Sequence, residues 1–154
     1  MSWHPHVTVA TIVEDQGRFL LVEEQADGRE VLNQPAGHLE PAESLLEAAL
    51  RETLEETGWE VELSAVTGIY PAPSNGVTYQ RVCFAARPVR HHPERALDDG
   101  IIGPRWLSRD ELAAQPQRWR SHLVLRCIDD YLAGGRYPLA LIRDTHVSPS
   151  LPQA

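Results

Sequence analysis

The sequence predicts a fold of the α+β class, in which α-helices pack on a mixed, partly antiparallel β-sheet. Segments rich in β-branched residues stand on both sides of one central helical segment, and a further helical segment lies near the C-terminal end. Strand pairs joined by short turns are typical of hairpins, which doubly wound parallel sheets do not use. The chain has 154 residues, of which 42% are hydrophobic. That length and apolar content fit one domain with a real core and exclude intrinsic disorder.

The strands are predicted from runs of β-branched and aromatic residues that are bounded by turn formers. The first two runs flank a turn at residues 14–18 and indicate a hairpin. Loops are expected at 71–76, which is rich in proline, and at 88–100. The predicted strands cover residues 6–13, 19–22, 30–33, 61–70, 77–87 and 101–107.

The central helix is predicted over residues 44–57. Ser44 and Glu47 have the spacing of a capping box, in which each side chain satisfies a backbone N–H of the first turn. Gly58 suits the left-handed residue that ends a helix. The other helices are predicted after a second capping box, Ser108 with Glu111, and over residues 121–133, where apolar residues recur at helical spacing.

The charge of the chain is acidic and unevenly distributed. Fourteen Lys and Arg against 22 Asp and Glu give a net charge of −8, which disfavours binding to a nucleic-acid backbone. Within residues 40–62 the only cation is Arg51. The glutamates of that segment are Glu40, Glu43, Glu47, Glu52, Glu55, Glu56, Glu60 and Glu62.

The chain carries no pattern typical of membrane insertion or export. No apolar run approaches the roughly 18 residues of a transmembrane helix, and residues 1–5 lack the basic and apolar regions of a signal peptide. Cys83 and Cys127 are too few for a disulfide framework or a cysteine-based zinc site. We therefore expect a cytoplasmic protein with two buried thiols and no membrane partner.

The central helix has two different faces on a helical wheel. Three carboxylates share one narrow face, and three leucines share the opposite face, which we predict to be core. The carboxylate face is either a solvated acidic stripe or a metal site. Like charges one turn apart and acids near a helix C-terminus destabilise the helix, whereas a hard divalent cation reverses that effect. The residues are Glu52, Glu55 and Glu56 on one face and Leu46, Leu50 and Leu54 on the other.

The stretch from Gly37 to Trp59 resembles the Nudix box, G-x5-E-x7-R-E-U-x-E-E-x-G-U, where U is a bulky apolar residue. The one departure is Thr53, a polar residue where the family has an aliphatic one, at the edge of the leucine face. We expect this departure to affect packing more than chemistry. The fixed positions that match are Gly37, Glu43, Arg51, Glu52, Glu55, Glu56 and Gly58.

Further segments are similar to the NudJ-type branch of the Nudix family, so that the resemblance covers roughly residues 6–143. It implies the α/β/α Nudix sandwich, with the box as a loop–helix–loop, in a single domain over residues 1–154. It also implies a phosphatase that acts on nucleoside di- and triphosphates and on hydroxymethylpyrimidine diphosphate. The segments are residues 6–10, 33–40, 105–108 and 135–139.

The resemblance also implies roles for the residues of the box. Mg²⁺, or Mn²⁺ in its place, is held by carboxylates of the helix and orients a water that attacks phosphorus. Glu55 is either a ligand or the base that deprotonates this water. Gly37 permits a backbone conformation that aims its carbonyl at the metal. The implied ligands and catalytic groups are Glu52, Glu55 and Glu56, with Gly37 as a further ligand, and the implied supporting residues are Glu43 and Arg51.

Outside the box, the candidates are weaker. Acids of the loop at 88–100 are either an extra metal ligand or ordinary surface groups, and we weigh the two equally. Three further residues are candidates for binding the substrate. Among them, Arg81 is a candidate for binding a terminal phosphate. The loop acids are Glu94, Asp98 and Asp99, and the substrate-binding candidates are Gln34, His38 and Arg81.

Three functions remain open at this point. The leading one is a Mg²⁺-dependent hydrolase of phosphoanhydride bonds in small molecules, as a monomer or homodimer that binds no nucleic-acid polymer. The second is an ADP-ribose-type pyrophosphatase, because specificity lies outside the box. The third is a catalytically inactive Nudix domain that binds a nucleotide as a sensor. The complete set of three glutamates favours an enzyme over a sensor.

Overall fold

A computed structural model of the chain describes residues 2–145. Met1 and residues 146–154, which the predicted domain range 1–154 includes, lie outside the described residues. The strands are β1 (His6–Asp15), β2 (Arg18–Ala26), β3 (Arg29–Asn33), β4 (Ala36–His38), β5 (Trp59–Ser74), β6 (Val77–His91) and β7 (Ile101–Ser108). The α-helices are α1 (Leu45–Thr57), α2 (Arg109–Ala113) and α3 (Leu123–Leu132), with single 3₁₀ turns at Pro116–Arg118 and Leu139–Leu141.

The strands form a mixed sheet in the order β3-β2-β1-β6-β5, with β4 paired to β1 and β7 paired to β2. The β1–β6 pair is parallel and the other pairs are antiparallel. β1 pairs with β2 only at its C-terminal end, and β4 takes the place of β2 along its N-terminal half. The sheet therefore divides at β1, and a cavity lies on the side where β4 meets the helix α1.

Helices cover both faces of the sheet, which confirms the predicted sandwich. In β1 successive side chains point to opposite faces. Val9 packs in a cluster with Ala48 and Ala49 of α1, whereas Ala10 and its neighbours pack in a cluster with α3. Within residues 2–145 no helix has the length and apolar character needed to span a bilayer.

The hairpin of β5 and β6 is longer than predicted at both ends. Residues 71–74 belong to β5 and residues 88–91 to β6, where we expected loops. Pro71 and Pro73 are accommodated because β5 lies at the edge of the sheet, so that one of its sides has no strand to bond. Asn75 and Gly76 both have positive φ, which is typical of a tight hairpin turn.

The capping predictions for α1 are confirmed. The Ser44 hydroxyl accepts a hydrogen bond from the Glu47 N–H, the Glu47 carboxylate accepts one from the Ser44 N–H, and Gly58 ends the helix at φ 74°. The second capping box, before α2, is also formed. These local signals fix where the helix begins and ends. They thereby fix where along the helix its glutamates lie.

The prediction that the leucines of α1 form its core face is wrong for Leu50, which is 40% exposed, and only partly correct for the other two. Leu46 is half-buried and packs against the cluster that contains Ala48, and Leu54 is half-buried. The helix instead turns its carboxylate side toward β1 and β4, where small side chains permit a close approach. The buried residues of the helix are Ala48, Ala49, Thr53 and Thr57.

Thr53, the departure from the family pattern, is fully buried against β1. Its hydroxyl lies 2.8 Å from that of Thr11 and also donates to the Ala49 carbonyl at 2.8 Å. A buried polar group is tolerated when it is hydrogen-bonded. This pair of threonines therefore joins α1 to the central strand directly beneath the glutamates.

Candidate active site and metal centre

The cavity beside β4 has a volume of about 580 Å³. It is lined by residues of the strands β1 to β6 and of α1, and by residues 120–123, which precede and begin α3. This last segment is held in place because the Arg120 N–H donates to the Leu32 carbonyl at 2.9 Å. The ionisable lining residues are Glu24, Glu40, Glu52, Glu56, His38, His122, Tyr79, Arg81 and Arg120.

The Gly37 backbone and the Glu52 carboxylate lie close together at the wall of this cavity. The φ of Gly37 is not positive, so the expectation that glycine serves a special backbone conformation here is wrong. A Cβ atom at this position would overlap the Glu52 carboxylate, so any other residue here would displace that carboxylate. The close approach leaves the Gly37 backbone and the Glu52 side chain at one point of the wall.

Glu56 is the most deeply buried of the three carboxylates. Its Oε1 accepts a hydrogen bond from the Ala36 N–H at 2.8 Å. Burial raises the pKa of Glu56 to about 8, and the nearby charges of Glu52 and Glu24 act in the same direction. Burial also raises the pKa of Glu52, against the opposing effect of Arg51. Without a cation, burial therefore favours the protonated form of Glu56.

Arg51 supports the loop before the helix through Glu43. Its Nε and Nη2 donate to the two oxygens of Glu43 at 2.6 and 3.0 Å, which is the bidentate geometry of a strong pair. Nη2 also donates to the His38 carbonyl at 3.1 Å. The hydrogen bond from Arg51 lowers the pKa of Glu43. One guanidinium thus ties α1 to both ends of the preceding loop.

The same guanidinium reaches two of the candidate ligands. Arg51 Nη1 donates to Glu52 Oε1 at 2.9 Å and to Glu55 Oε2 at 3.0 Å. Their side chains are 13% and 29% exposed. Arg51 therefore offsets part of the repulsion on the carboxylate face and fixes the orientation of Glu52.

Asp98 joins Glu52 and Glu55 in a cluster of carboxylates. One oxygen of each lies within 4.8 Å of the others, and the Asp98 N–H donates to the Glu55 carbonyl at 3.2 Å. Of the three loop acids that were candidates, Asp98 is the one in this cluster. Among the described residues neither Glu94 nor Asp99 joins it. The Glu94 carboxylate instead lies 3.8 Å from His92 Nδ1. An all-oxygen donor set suits a hard divalent cation such as Mg²⁺ or Mn²⁺. The residues present therefore fit such an ion.

The three substrate-binding candidates occupy different positions. Arg81 and His38 line the cavity, and the His38 ring contacts that of Tyr79 edge to face. Gln34 is 1% exposed and is not part of the cavity wall. Its Oε1 accepts from Arg81 Nη1 at 2.7 Å. Gln34 therefore positions Arg81 from behind the wall.

Sequence reasoning missed Glu24 and Asn33, which also line the cavity. Glu24 is 8% exposed and accepts a hydrogen bond from Arg120 at 2.7 Å. A signal was present, because Glu24 alternates with Leu20 and Val22 on one face of β2, where a carboxylate is unexpected. The hydrogen bond from Arg120 to Glu24 depends on tertiary packing, and no sequence pattern predicts it.

Comparison with known proteins agrees with this geometry. A family model described as NUDIX domain matches residues 2–126. Phosphatase NudJ from Escherichia coli K12 is 42% identical over 142 residues, which span 91% of this chain and 92% of the relative.

Solved structures show the same fold. A NUDIX hydrolase from Nitrosomonas europaea aligns with a TM-score of 0.89 and 46% identity, over 92% of this chain and 97% of that one. A UDP-X diphosphatase aligns with a TM-score of 0.72 and 17% identity, over 90% of this chain and 68% of that one, and shares the fold. Because the family model matches most of the chain, and because Gly37, Glu52 and Glu56 of the box line one cavity, the chain belongs to the family of Nudix hydrolases, enzymes that act on phosphoanhydride bonds.

Proposed function

We propose that this enzyme removes terminal phosphate from nucleoside di- and triphosphates and from related small diphosphates, including hydroxymethylpyrimidine diphosphate, in a reaction that requires Mg²⁺ or Mn²⁺. The observation that carries the proposal is that Glu52 and Glu56 line the same cavity as Arg81. Carboxylates that bind a cation and a guanidinium that binds an anion are the two groups a phosphorylated substrate needs. The similarity to phosphatase NudJ over most of both chains supports a phosphatase activity.

Each side chain has a distinct task in this proposal. Glu52, Glu55 and Glu56, together with the Gly37 carbonyl, would hold the ion. Asp98, whose carboxylate lies with those of Glu52 and Glu55, would assist, whereas Glu56 is not part of that cluster of three. A divalent ion bound there supplies neutralisation of the phosphate oxygens and activation of a water.

Arg81 binds the terminal phosphate, held in position by Gln34. The proton of the attacking water passes to a carboxylate of α1, with Glu55 and Glu56 as the two candidates. Arg51 and Glu43 keep the carboxylates oriented. His38 lies at the cavity wall and contacts the substrate.

A substrate panel with identified products tests the proposal. Nucleoside di- and triphosphates, hydroxymethylpyrimidine diphosphate and ADP-ribose are incubated with Mg²⁺, with Mn²⁺ and with a chelator. We expect inorganic phosphate as product, with either ion and not with the chelator. Cleavage of ADP-ribose into two phosphorylated halves as the main reaction would favour the pyrophosphatase, and binding of nucleotides without any hydrolysis would favour the sensor.

A further inference from the structure

Arg120 lines the cavity with a guanidinium that is largely unbonded. Its side chain is 47% exposed, and its Nη1 donates to Glu24 Oε1 at 2.7 Å. A guanidinium has five N–H donors, and the structure gives that of Arg120 no second hydrogen bond within residues 2–145. Four donors therefore remain for a ligand in the cavity.

The backbone that carries Arg120 is fixed to the sheet. The Arg120 N–H donates to the Leu32 carbonyl at 2.9 Å, and the preceding residue, Trp119, forms a bridge with Leu32. The Trp119 indole N–H donates to the Leu112 carbonyl at 2.9 Å. The guanidinium therefore projects from a rigid position, although the segment has no regular secondary structure.

Arg81, the candidate for the terminal phosphate, is held in the same way. Its Nη1 donates to Gln34 at 2.7 Å, and both holding side chains are buried, since Gln34 is 1% and Glu24 is 8% exposed. A side chain that is positioned before binding loses less freedom when it binds an anion. The cavity thus has two positioned guanidiniums on separate elements, Arg81 on β6 and Arg120 before α3.

Arg120 lies on the side of the cavity that holds the metal-binding candidates. Glu24 is close enough to Glu56 for its charge to help raise the pKa of that carboxyl, and Arg120 is bonded to Glu24. The whole chain has a net charge of −8, so a polyphosphate needs local cations to enter. A phosphate chain that reaches the α1 carboxylates through a bound ion would also meet Arg120.

We propose that Arg120 binds the phosphate next to the terminal one and so makes the enzyme select substrates with at least two linked phosphates. Glu24 is the positioning residue that holds it. The planar fork of a guanidinium matches two oxygens of one phosphate. The inference rests on the proposed function, in which Arg81 binds the terminal phosphate.

Two probes that differ by one phosphate test this assignment. They are AMP and α,β-methylene-ADP, whose bridged phosphates cannot be hydrolysed, and calorimetry with Mg²⁺ gives their dissociation constants. Arg120→Ala should weaken both about tenfold, because both carry the inner phosphate and a hydrogen-bonded charge contributes roughly that much. Arg81→Ala should weaken the analogue similarly but change AMP less than about twofold.

A double variant separates phosphate binding from a purely structural role. Arg120→Ala leaves Glu24, whose side chain is 11% exposed, without its cation and should lower the melting temperature. Combined with Glu24→Gln, it should melt like Glu24→Gln alone and still bind the analogue about tenfold more weakly than that variant. Equal binding by the double variant and by Glu24→Gln would overturn the phosphate contact.

Arg118 provides a matched control on the same segment. It pairs with Glu23, and both residues lie outside the cavity lining. Arg118→Ala should change neither dissociation constant by more than about twofold. Unchanged AMP binding in Arg120→Ala, or a loss of AMP binding in Arg81→Ala alone, would contradict the assignment. The expected binding pattern without release of phosphate from any nucleotide would contradict the proposed function alone.

Discussion

Glu56→Gln should lower the rate of phosphoanhydride hydrolysis at least about a hundredfold, because the variant loses the charge that a divalent cation requires. The glutamine oxygen still accepts the hydrogen bond from the Ala36 N–H, so the fold and the cavity should remain. Steady-state release of inorganic phosphate with Mg²⁺ measures the effect. Glu62→Gln, the same change at an exposed glutamate that pairs with Arg87, should keep full activity.

The same variant should change the pH dependence of stability. The pKa of Glu56 is raised from 4.5 to about 8 in the folded protein, so its proton is held more tightly there than in the unfolded chain. The resulting stability is complete below the unfolded pKa and is lost as the pH rises through about 8. Glu56→Gln should therefore flatten the decline in melting temperature between about pH 5 and 8 in metal-free buffer. An unchanged decline together with full activity would remove Glu56 from the site.

Arg51→Ala should give the largest loss of stability of any single change at the site. The variant leaves Glu43 and Glu52, which are 12% and 13% exposed, without their cation. Breaking a largely buried ion pair costs about 3 kcal/mol after allowance for partial exposure. At roughly 2–4 °C per kcal/mol for a domain of this size, thermal melting should fall by about 6–12 °C.

Two comparisons identify the cause of that loss. Arg51→Lys keeps the positive charge but cannot form the bidentate hydrogen bonds to Glu43. Its melting temperature should lie between those of wild type and Arg51→Ala. Arg87→Ala breaks the exposed ion pair with Glu62 and should change the melting temperature little. Because Arg51 lowers the pKa of Glu43, the gap between wild type and Arg51→Ala should narrow as the pH falls below 4. A melting temperature equal to that of wild type, together with lost activity, would make Arg51 a substrate contact instead of a brace.

Local signals predicted the elements of this fold well and the orientation of its central helix badly. Capping residues, glycines and β-branched runs act over a few residues, so Ser44 and Gly58 correctly marked the ends of α1. The burial of a helix face depends on what lies opposite. Leucines are the usual core residues, but here β1 and β4 approach so closely that alanines and Thr53 fill the interface.

The candidate site likewise has features that the sequence predicts and features that depend on tertiary contacts. The spacing of the box placed Glu52 and Glu56 on one side of α1, and that side borders the cavity. The tertiary reason for Gly37, the contact with Glu52, is not visible in the sequence. Asp98 joins the cluster because its backbone N–H donates a hydrogen bond to the Glu55 carbonyl near the end of α1. This contact cannot be predicted from a periodic pattern in the sequence.

The central claim is that the carboxylates of α1 turn inward to form a site for a divalent cation. Thermal melting of wild type and Glu56→Gln, in Mg²⁺ or Mn²⁺ salts and in sodium salt at equal ionic strength, tests it most directly. A cation that binds only the folded state adds about 2.7 kcal/mol at one hundred times its Kd, which corresponds to several degrees. We expect that rise in wild type with the divalent salts, and a much smaller one in Glu56→Gln. Equal shifts in both proteins and in all salts would show screening alone and would contradict the account.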